Sequence, residues 1–215
     1  MPHTSTSRRC VTSLMVLFFV SGWFTPLSNA QTQSSKDEEV EVDIRGVKVR
    51  IPDLKLRDQD GNEIRFYSDL IKDKVIVLTF FYTSCTYLCT MQGKVFSELQ
   101  SLLGDRLGKS VFLISVTTDP VRDNPQQLRA WGARYKIRPG WTLVTGDVAE
   151  MNKLLIRFTG NKAGAEMHLP ATFVGNDKQG RWTSAVGSFA PQEILGAVNS
   201  VAGPQKSENR LGPGQ

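Results

Sequence analysis

The chain has 215 residues, with 26 Lys and Arg against 21 Asp and Glu, a formal net charge of +5, and 40% hydrophobic residues. That length suits one domain with a real hydrophobic core and calls for no second domain. The basic residues are dispersed rather than interleaved with aromatics, which argues against a nucleic-acid surface and reads as a solvated basic face.

At the N-terminus, Arg8 and Arg9 precede an apolar run from Cys10 to Phe24, then Pro26 and the small-residue site Ser28-Asn29-Ala30. This predicts a secretory signal peptide over residues 1–30. The run is short for a bilayer span, which takes about 20 apolar residues, so the leader is expected to be cleaved or to stay as a short membrane tether. Cleavage after Ala30 would remove Cys10 and His3 and lower the net charge to +3. Only Cys85, Cys89 and His168 would remain as cysteine and histidine, in an exported, periplasmic chain. Residues 31–50 read as a polar linker, residues 51–202 as the folded domain, and residues 203–215, rich in Gly and Pro, as a disordered tail.

Within the domain, Asp53-Leu54-Lys55-Leu56-Arg57 and Glu63-Ile64-Arg65-Phe66 alternate around Asp58-Gln59-Asp60-Gly61-Asn62, which predicts an N-terminal β-hairpin. Val75 to Tyr82 is a nearly continuous apolar, β-branched and aromatic run, the pattern of a central strand covered on both faces. Cys85-Thr86-Tyr87-Leu88-Cys89 follows, and then Val95, Leu99, Leu102 and Leu103 recur at helical spacing up to Gly104. Val111 to Val116 predicts a second buried strand and Thr118-Asp119-Pro120 a turn. Asn124 and Pro125 then cap and open a helix to about Tyr135. Trp141 to Thr145 predicts a short strand, and Gly146-Asp147 cap a helix through Met151, Leu154, Leu155 and Phe158. Ala171 to Val174 opens a hairpin that turns at Asp177-Lys178-Gln179-Gly180 onto Arg181 to Val186, and Pro191 to Val201 closes the domain as a helix. Alternating strands and helices of this kind give a mixed central sheet flanked by helices, an α/β fold. A cysteine pair between the first long strand and its helix points to the thioredoxin-like version of it.

In the C-x-x-x-C spacing, positions i and i+4 of a helical first turn share one face, with Cβ atoms about 5 to 6 Å apart. Both sulfurs can then meet one partner or bond to each other, since a disulfide accepts Cα separations of about 4.4 to 6.8 Å. The pair is therefore competent as a metal clamp, as a redox couple or as a plain stabilising disulfide. A bridge across so short a loop removes little chain entropy, which weakens the last reading. A helix N-terminus favours the thiolate, which serves both as metal ligand and as nucleophile. His168 precedes Leu169-Pro170-Ala171-Thr172, a segment like the one that carries a cis-proline facing the cysteine loop in thioredoxin-like folds. Two thiolates and an imidazole suit Cu(I), Cu(II) with a further ligand, or zinc with water as fourth ligand. Met91 and Met167 could add weak thioether ligation, but core packing is their default use. Core packing is also expected of Trp131, Tyr135, Trp141 and Phe158, and a solvated position of Lys94.

Four segments, Val77 to Cys85, Ser115 to Pro125, Gly140 to Asp147 and the residues around His168, together resemble the Sco/SenC/PrrC family over roughly Ile51 to Val201. The resemblance implies a thioredoxin-like, exported or membrane-tethered protein. It also implies copper bound by Cys85, Cys89 and His168 and delivered to the copper-site subunit of cytochrome c oxidase or to another exported copper protein. Some members are proposed to act as thiol-disulfide oxidoreductases. In that case Cys85 and Cys89 would be the catalytic pair, with Cys85 attacking and a thiol reductant resetting them. Asp119 and Pro120 match the family motif as well, although a turn aspartate most often shapes its loop. Thr86 and Thr90 stand where the family usually has prolines, and Met167 where it often has an acidic residue, so the resemblance leaves affinity and redox potential open.

Overall fold

The computed structural model of the chain describes residues 39–163, 171–186 and 190–203. Strands β1 (Glu39–Ile44), β2 (Val47–Pro52), β3 (Lys55–Asp58) and β4 (Glu63–Arg65) lead into a short helix α1 (Phe66–Leu70) and the central strand β5 (Val75–Phe81). Helix α2 (Leu88–Leu103), β6 (Val111–Thr117), α3 (Pro125–Arg134), β7 (Trp141–Thr145) and α4 (Val148–Thr159) follow. A hairpin of β8 (Ala171–Asn176) and β9 (Arg181–Val186) precedes the last helix, α5 (Pro191–Ala202).

All nine strands share one sheet in the order β2-β1-β9-β8-β5-β6-β7-β3-β4. At its centre β5 runs parallel to β6, Val75 facing Val111 and Phe81 facing Thr117, and antiparallel to β8, Thr79 facing Thr172. A βαβ unit joined to a ββα unit, with the cysteine loop after the first strand, is the thioredoxin-like arrangement expected from the residue pattern. The alternation along β5 explains why its sequence is apolar throughout. Ile76, Leu78 and Phe80 enter a core with β1, β2, α1 and α4, whereas Val77 and Phe81 enter a second one with α2, α3 and α5. Each such fully buried side chain contributes roughly 1.5–3 kcal/mol. Among the described residues, the buried members of both cores lie between Val42 and Val201, with Val40 packed against the first.

The expected helices and strands from Val75 onward are present, and Asn124 caps α3 by accepting a hydrogen bond from the Gln127 N–H at 3.1 Å. Trp131, Trp141 and Phe158 are core residues as expected, and Tyr135 is half-buried. Residues 39–50, expected within a polar linker, instead form most of a hairpin. Val40, Val42, Ile44, Val49 and Ile51 alternate with charged residues and turn their apolar side to the core. Arg45 and Gly46 both have positive φ, 55° and 85°, the geometry of a two-residue type I′ turn. The predicted hairpin of β3 and β4 forms too, but it lies at the opposite edge of the sheet, against β7, and Phe66 begins a helix rather than ending a strand. Buried Asp53 sets that start: its carboxylate accepts hydrogen bonds from the Tyr67 and Ser68 backbone N–H groups at 3.0 Å and from the Arg65 side chain at 2.9 Å. Leu102, expected on the apolar stripe of α2, is exposed.

Candidate metal centre

The cysteine loop leaves the sheet where β5 ends, and its geometry is fixed from both sides. Phe81 is tied to the segment that follows β6 by its carbonyl, which accepts from Thr118 N–H at 2.7 Å. Two residues later Thr83 gives its backbone N–H, at 3.0 Å, and its hydroxyl to the carboxylate of Asp123. Asp123 is fully buried and also accepts from the Thr117 hydroxyl, so one carboxylate pins the loop to the end of β6. In the sequence Asp123 stands out only as part of the Ser115 to Pro125 segment. The signal available was an acidic residue just ahead of the Asn124-Pro125 helix start.

Helix α2 begins at Leu88, so Cys85 lies three residues before it and Cys89 in its first turn, rather than both lying on the helix. The sulfurs nevertheless approach, because the Cys85 Sγ takes the place of a capping side chain. It accepts the Cys89 backbone N–H at 3.2 Å, one of the donors that a helix start leaves unpaired. Thr90 returns its hydroxyl to the Cys85 carbonyl at 3.4 Å, closing the turn from inside where a proline was expected. Thr86 is exposed. Behind the loop Phe81, Trp131 and Tyr135 form a run of rings with centroids 4.3 and 4.5 Å apart.

Cys85 and Cys89 are both buried and both free thiols, and their electrostatics differ. For Cys85, burial disfavours the thiolate, but hydrogen bonds from the Cys89 thiol, the Cys89 and Tyr87 backbone N–H groups and the Tyr82 phenol outweigh it, leaving the pKa below that of an ordinary cysteine. Cys89 is pushed up to about 12, first by burial and then by its hydrogen bond to Cys85 and the negative charges of Cys85 and Asp123. The proton therefore stays on Cys89 and points at Cys85. Burial and the same Cys85 sulfur raise the Tyr82 phenol to about 12.

Of the remaining sequence candidates, Asp119 is buried and forms an ion pair with Arg122 at 2.7 Å, holding the turn beside the loop. Lys94 is exposed, as expected. Met91 is not a core residue: it lies in the first turns of α2 with 37% of its surface exposed, because the core-facing positions there belong to Cys89, Gln92 and Phe96. His168, Met167 and Pro170 lie outside the described residues. Strand β8, which starts at Ala171, enters the sheet beside the end of β5, where the Thr79 hydroxyl donates to the Ala171 carbonyl at 3.4 Å and accepts from the Gln92 amide. Among the described residues no group of three Cys, His, Asp or Glu side chains is gathered as a metal site. The two sulfurs form a compact pair of soft donors suited to Cu(I) and Zn.

Comparison with known proteins identifies the fold and the family. The family model SCO1/SenC matches residues 45–185. A Stutzerimonas stutzeri protein named as copper-binding is 29% identical over 180 residues, 82% of this chain and 79% of the relative. The structure of a SCO1/SenC family lipoprotein from Bacillus anthracis superposes with a TM-score of 0.60 at 19% identity, covering 77% of this chain and 98% of the other. Yeast Sco1 with copper bound gives a TM-score of 0.57 at 18% identity over 74% of this chain and 99% of its own. These structural likenesses establish the fold, and the family match covers most of the domain with the cysteine loop inside it: the chain belongs to the SCO1/SenC family.

Proposed function

We propose that this chain is an exported copper chaperone that holds the metal through the sulfurs of Cys85 and Cys89 with His168 as a third ligand. It would pass the metal by ligand exchange to the copper-site subunit of a respiratory oxidase or to another exported copper protein. The observation that carries the reading is the thiol pair itself: two reduced sulfurs at a helix start, one of them favouring the thiolate. Family membership and the relative named as copper-binding support it. His168 is included because it stands three residues before Ala171, a chain reach of at most about 10 Å, and Ala171 enters the sheet at the end where the cysteine loop leaves. Residues 1–30 serve as the export signal or stay as a tether to the outer face of a membrane. Among the described residues no helix is long and apolar enough to cross one.

Reconstitution of the reduced chain with Cu(I) tests the reading. One copper per chain is expected, lost in Cys85→Ser and Cys89→Ser and weakened in His168→Ala. Unchanged binding in His168→Ala removes the third ligand, and no binding by the parent chain removes the chaperone reading.

A second reading, thiol-disulfide reduction, is favoured by the unequal proton affinities of the two cysteines. The Cys85 thiolate would attack a partner disulfide, forming a mixed disulfide and releasing one partner thiolate. Cys89, giving up its proton, would then attack the Cys85 sulfur, leaving a Cys85–Cys89 disulfide and the second partner thiol. A dithiol reductant must return two electrons and two protons. Catalytic turnover that survives His168→Ala and vanishes in Cys85→Ser would establish this activity, and its absence alongside stoichiometric copper binding would exclude it.

A further inference from the structure

The domain is electrically polar along its strands. At the end from which the parallel strands β5, β6 and β7 start, each loop carries exposed cations: Lys72 before β5, Lys109 before β6, and Lys136 and Arg138 before β7. The turn between β8 and β9 reaches the same end, because Asn176 faces Val75, and it adds Lys178 and Arg181. Half-buried Lys74 and Arg106 lie on the same loops. The acidic residues on these loops are Asp73, Asp105 and Asp177, and Asp177 is engaged with the Tyr67 hydroxyl and the Asp73 N–H. On the rim, Asp60 is paired with Arg129 at 3.6 Å.

Helix termini account for only part of this excess. The C-termini of α2, α3 and α5 all reach this end, and Arg181 caps α5 by donating to the Val201 carbonyl at 2.7 Å. Three helix ends at roughly half a negative charge each offset fewer than two of the cations. A discrete small-anion site is also disfavoured. The groove of about 490 Å³ here is lined by Arg129, Lys136 and Arg138, but Arg129 donates to the Gln59 carbonyl and Arg138 to the Gln100 carbonyl. These bonds occupy part of each guanidinium's donors, while its charge still adds to a field spread across several loops.

That spread fits a surface of many charges better than a protein hot spot. Exposed large apolar side chains, the usual anchors of protein docking, gather at the other end: Tyr87 at 71% exposure and Val121 at 78% flank the cysteine loop and the Asp119 turn, with Met91 nearby. Among the described residues, Leu102 in the last turn of α2 is the one such side chain near the basic loops.

We propose that the basic end, formed by the loops before β5, β6 and β7 and the β8–β9 turn, rests on the anionic phospholipid headgroups of a membrane. The cysteine loop then faces away from the bilayer, one strand length, roughly 23 Å at 3.3 Å per residue, above it. This inference is independent of the copper reading.

The test uses residues 36–215, which hold both cores and form one compact unit, with sucrose-loaded vesicles of phosphatidylglycerol and phosphatidylcholine or of phosphatidylcholine alone. Partition onto the anionic vesicles is expected, falling with salt and losing roughly fivefold for each cation removed. Lys109→Gln with Lys136→Gln should lower it more than tenfold. Lys109→Arg with Lys136→Arg, which keeps the charge, should retain it. Arg57→Gln with Lys153→Gln, an equal loss of charge on β3 and α4 outside the basic loops, should change it less than twofold. Equal losses in the two Gln pairs, equal partition onto neutral vesicles, or no partition onto anionic ones overturns the proposal.

Discussion

Reactivity of the two cysteines tests the electrostatic account of the site most directly. They are almost equally hidden, with 9% of Cys85 and 6% of Cys89 exposed, so access does not separate them and the difference must come from the proton. With Cys89 held up to about 12, its thiolate fraction at pH 8 is about one in ten thousand. An ordinary cysteine of pKa 9.0 is roughly one tenth ionised at that pH, and Cys85 lies on the more ionised side of that. Thiolate populations therefore differ on the order of a thousandfold or more. Alkylation of the reduced, metal-free chain with iodoacetamide, followed by peptide mass spectrometry from pH 6 to 10, measures the ratio. Cys85 should be modified first throughout. In Cys85→Ala the hydrogen bond and charge that raise Cys89 disappear but its burial remains, so Cys89 should react faster than in the parent chain while staying slower than an ordinary thiol. Comparable rates at pH 8, or modification of Cys89 first, would refute the reasoning.

Three further outcomes follow from the same geometry. Asp123→Ala leaves the Thr83 N–H and two hydroxyls without their acceptor and should cost about 1–3 kcal/mol in urea unfolding, with faster hydrogen exchange at Thr83 to Cys85. For Asp53, burial opposes the carboxylate but hydrogen bonds from Ser68 and Arg65 outweigh it and lower the folded pKa. Its stabilisation is therefore present above the unfolded value of about 4 and lost as pH falls through the folded one, so Asp53→Asn should be less stable at pH 7 and the difference should shrink as pH falls below the unfolded value. Phe158→Ala removes a ring packed against Phe66, Phe80 and Phe173 and should cost about 3–5 kcal/mol, lowering Tm by roughly 10 °C in calorimetry.

The sequence made the central architecture legible because its signals there are local. The unbroken apolar run of β5 states that both faces are covered, and Asn124-Pro125 states where α3 begins. Hairpin β1–β2 was legible as well, since Val40, Val42, Ile44, Val49 and Ile51 keep period two around Arg45-Gly46. The charged stretch Lys36-Asp37-Glu38-Glu39, which runs into its first strand, gives a linker's composition and masks the alternation. Other features could not be read this way. Met91 has the chemistry of a core residue, and its exposure depends on which side of α2 meets the sheet.

For the candidate site, the sequence by itself singled out two sulfurs four residues apart behind a buried strand, and offered His168 as a distant candidate to join them. It also determined the family, through segments spread in order along the domain. Only the tertiary structure decided that the two thiols are unequal. That inequality comes from the helix start supplying N–H groups to Cys85, from burial and the charge of Asp123 acting on Cys89, and from Tyr82 beside the pair. The tertiary structure also decided that cations separated by dozens of residues collect at one end of the sheet while apolar anchors collect at the other. Parallel strands send all their preceding loops to one end and their following loops to the opposite one, a sorting set by the topology that residue order alone does not display.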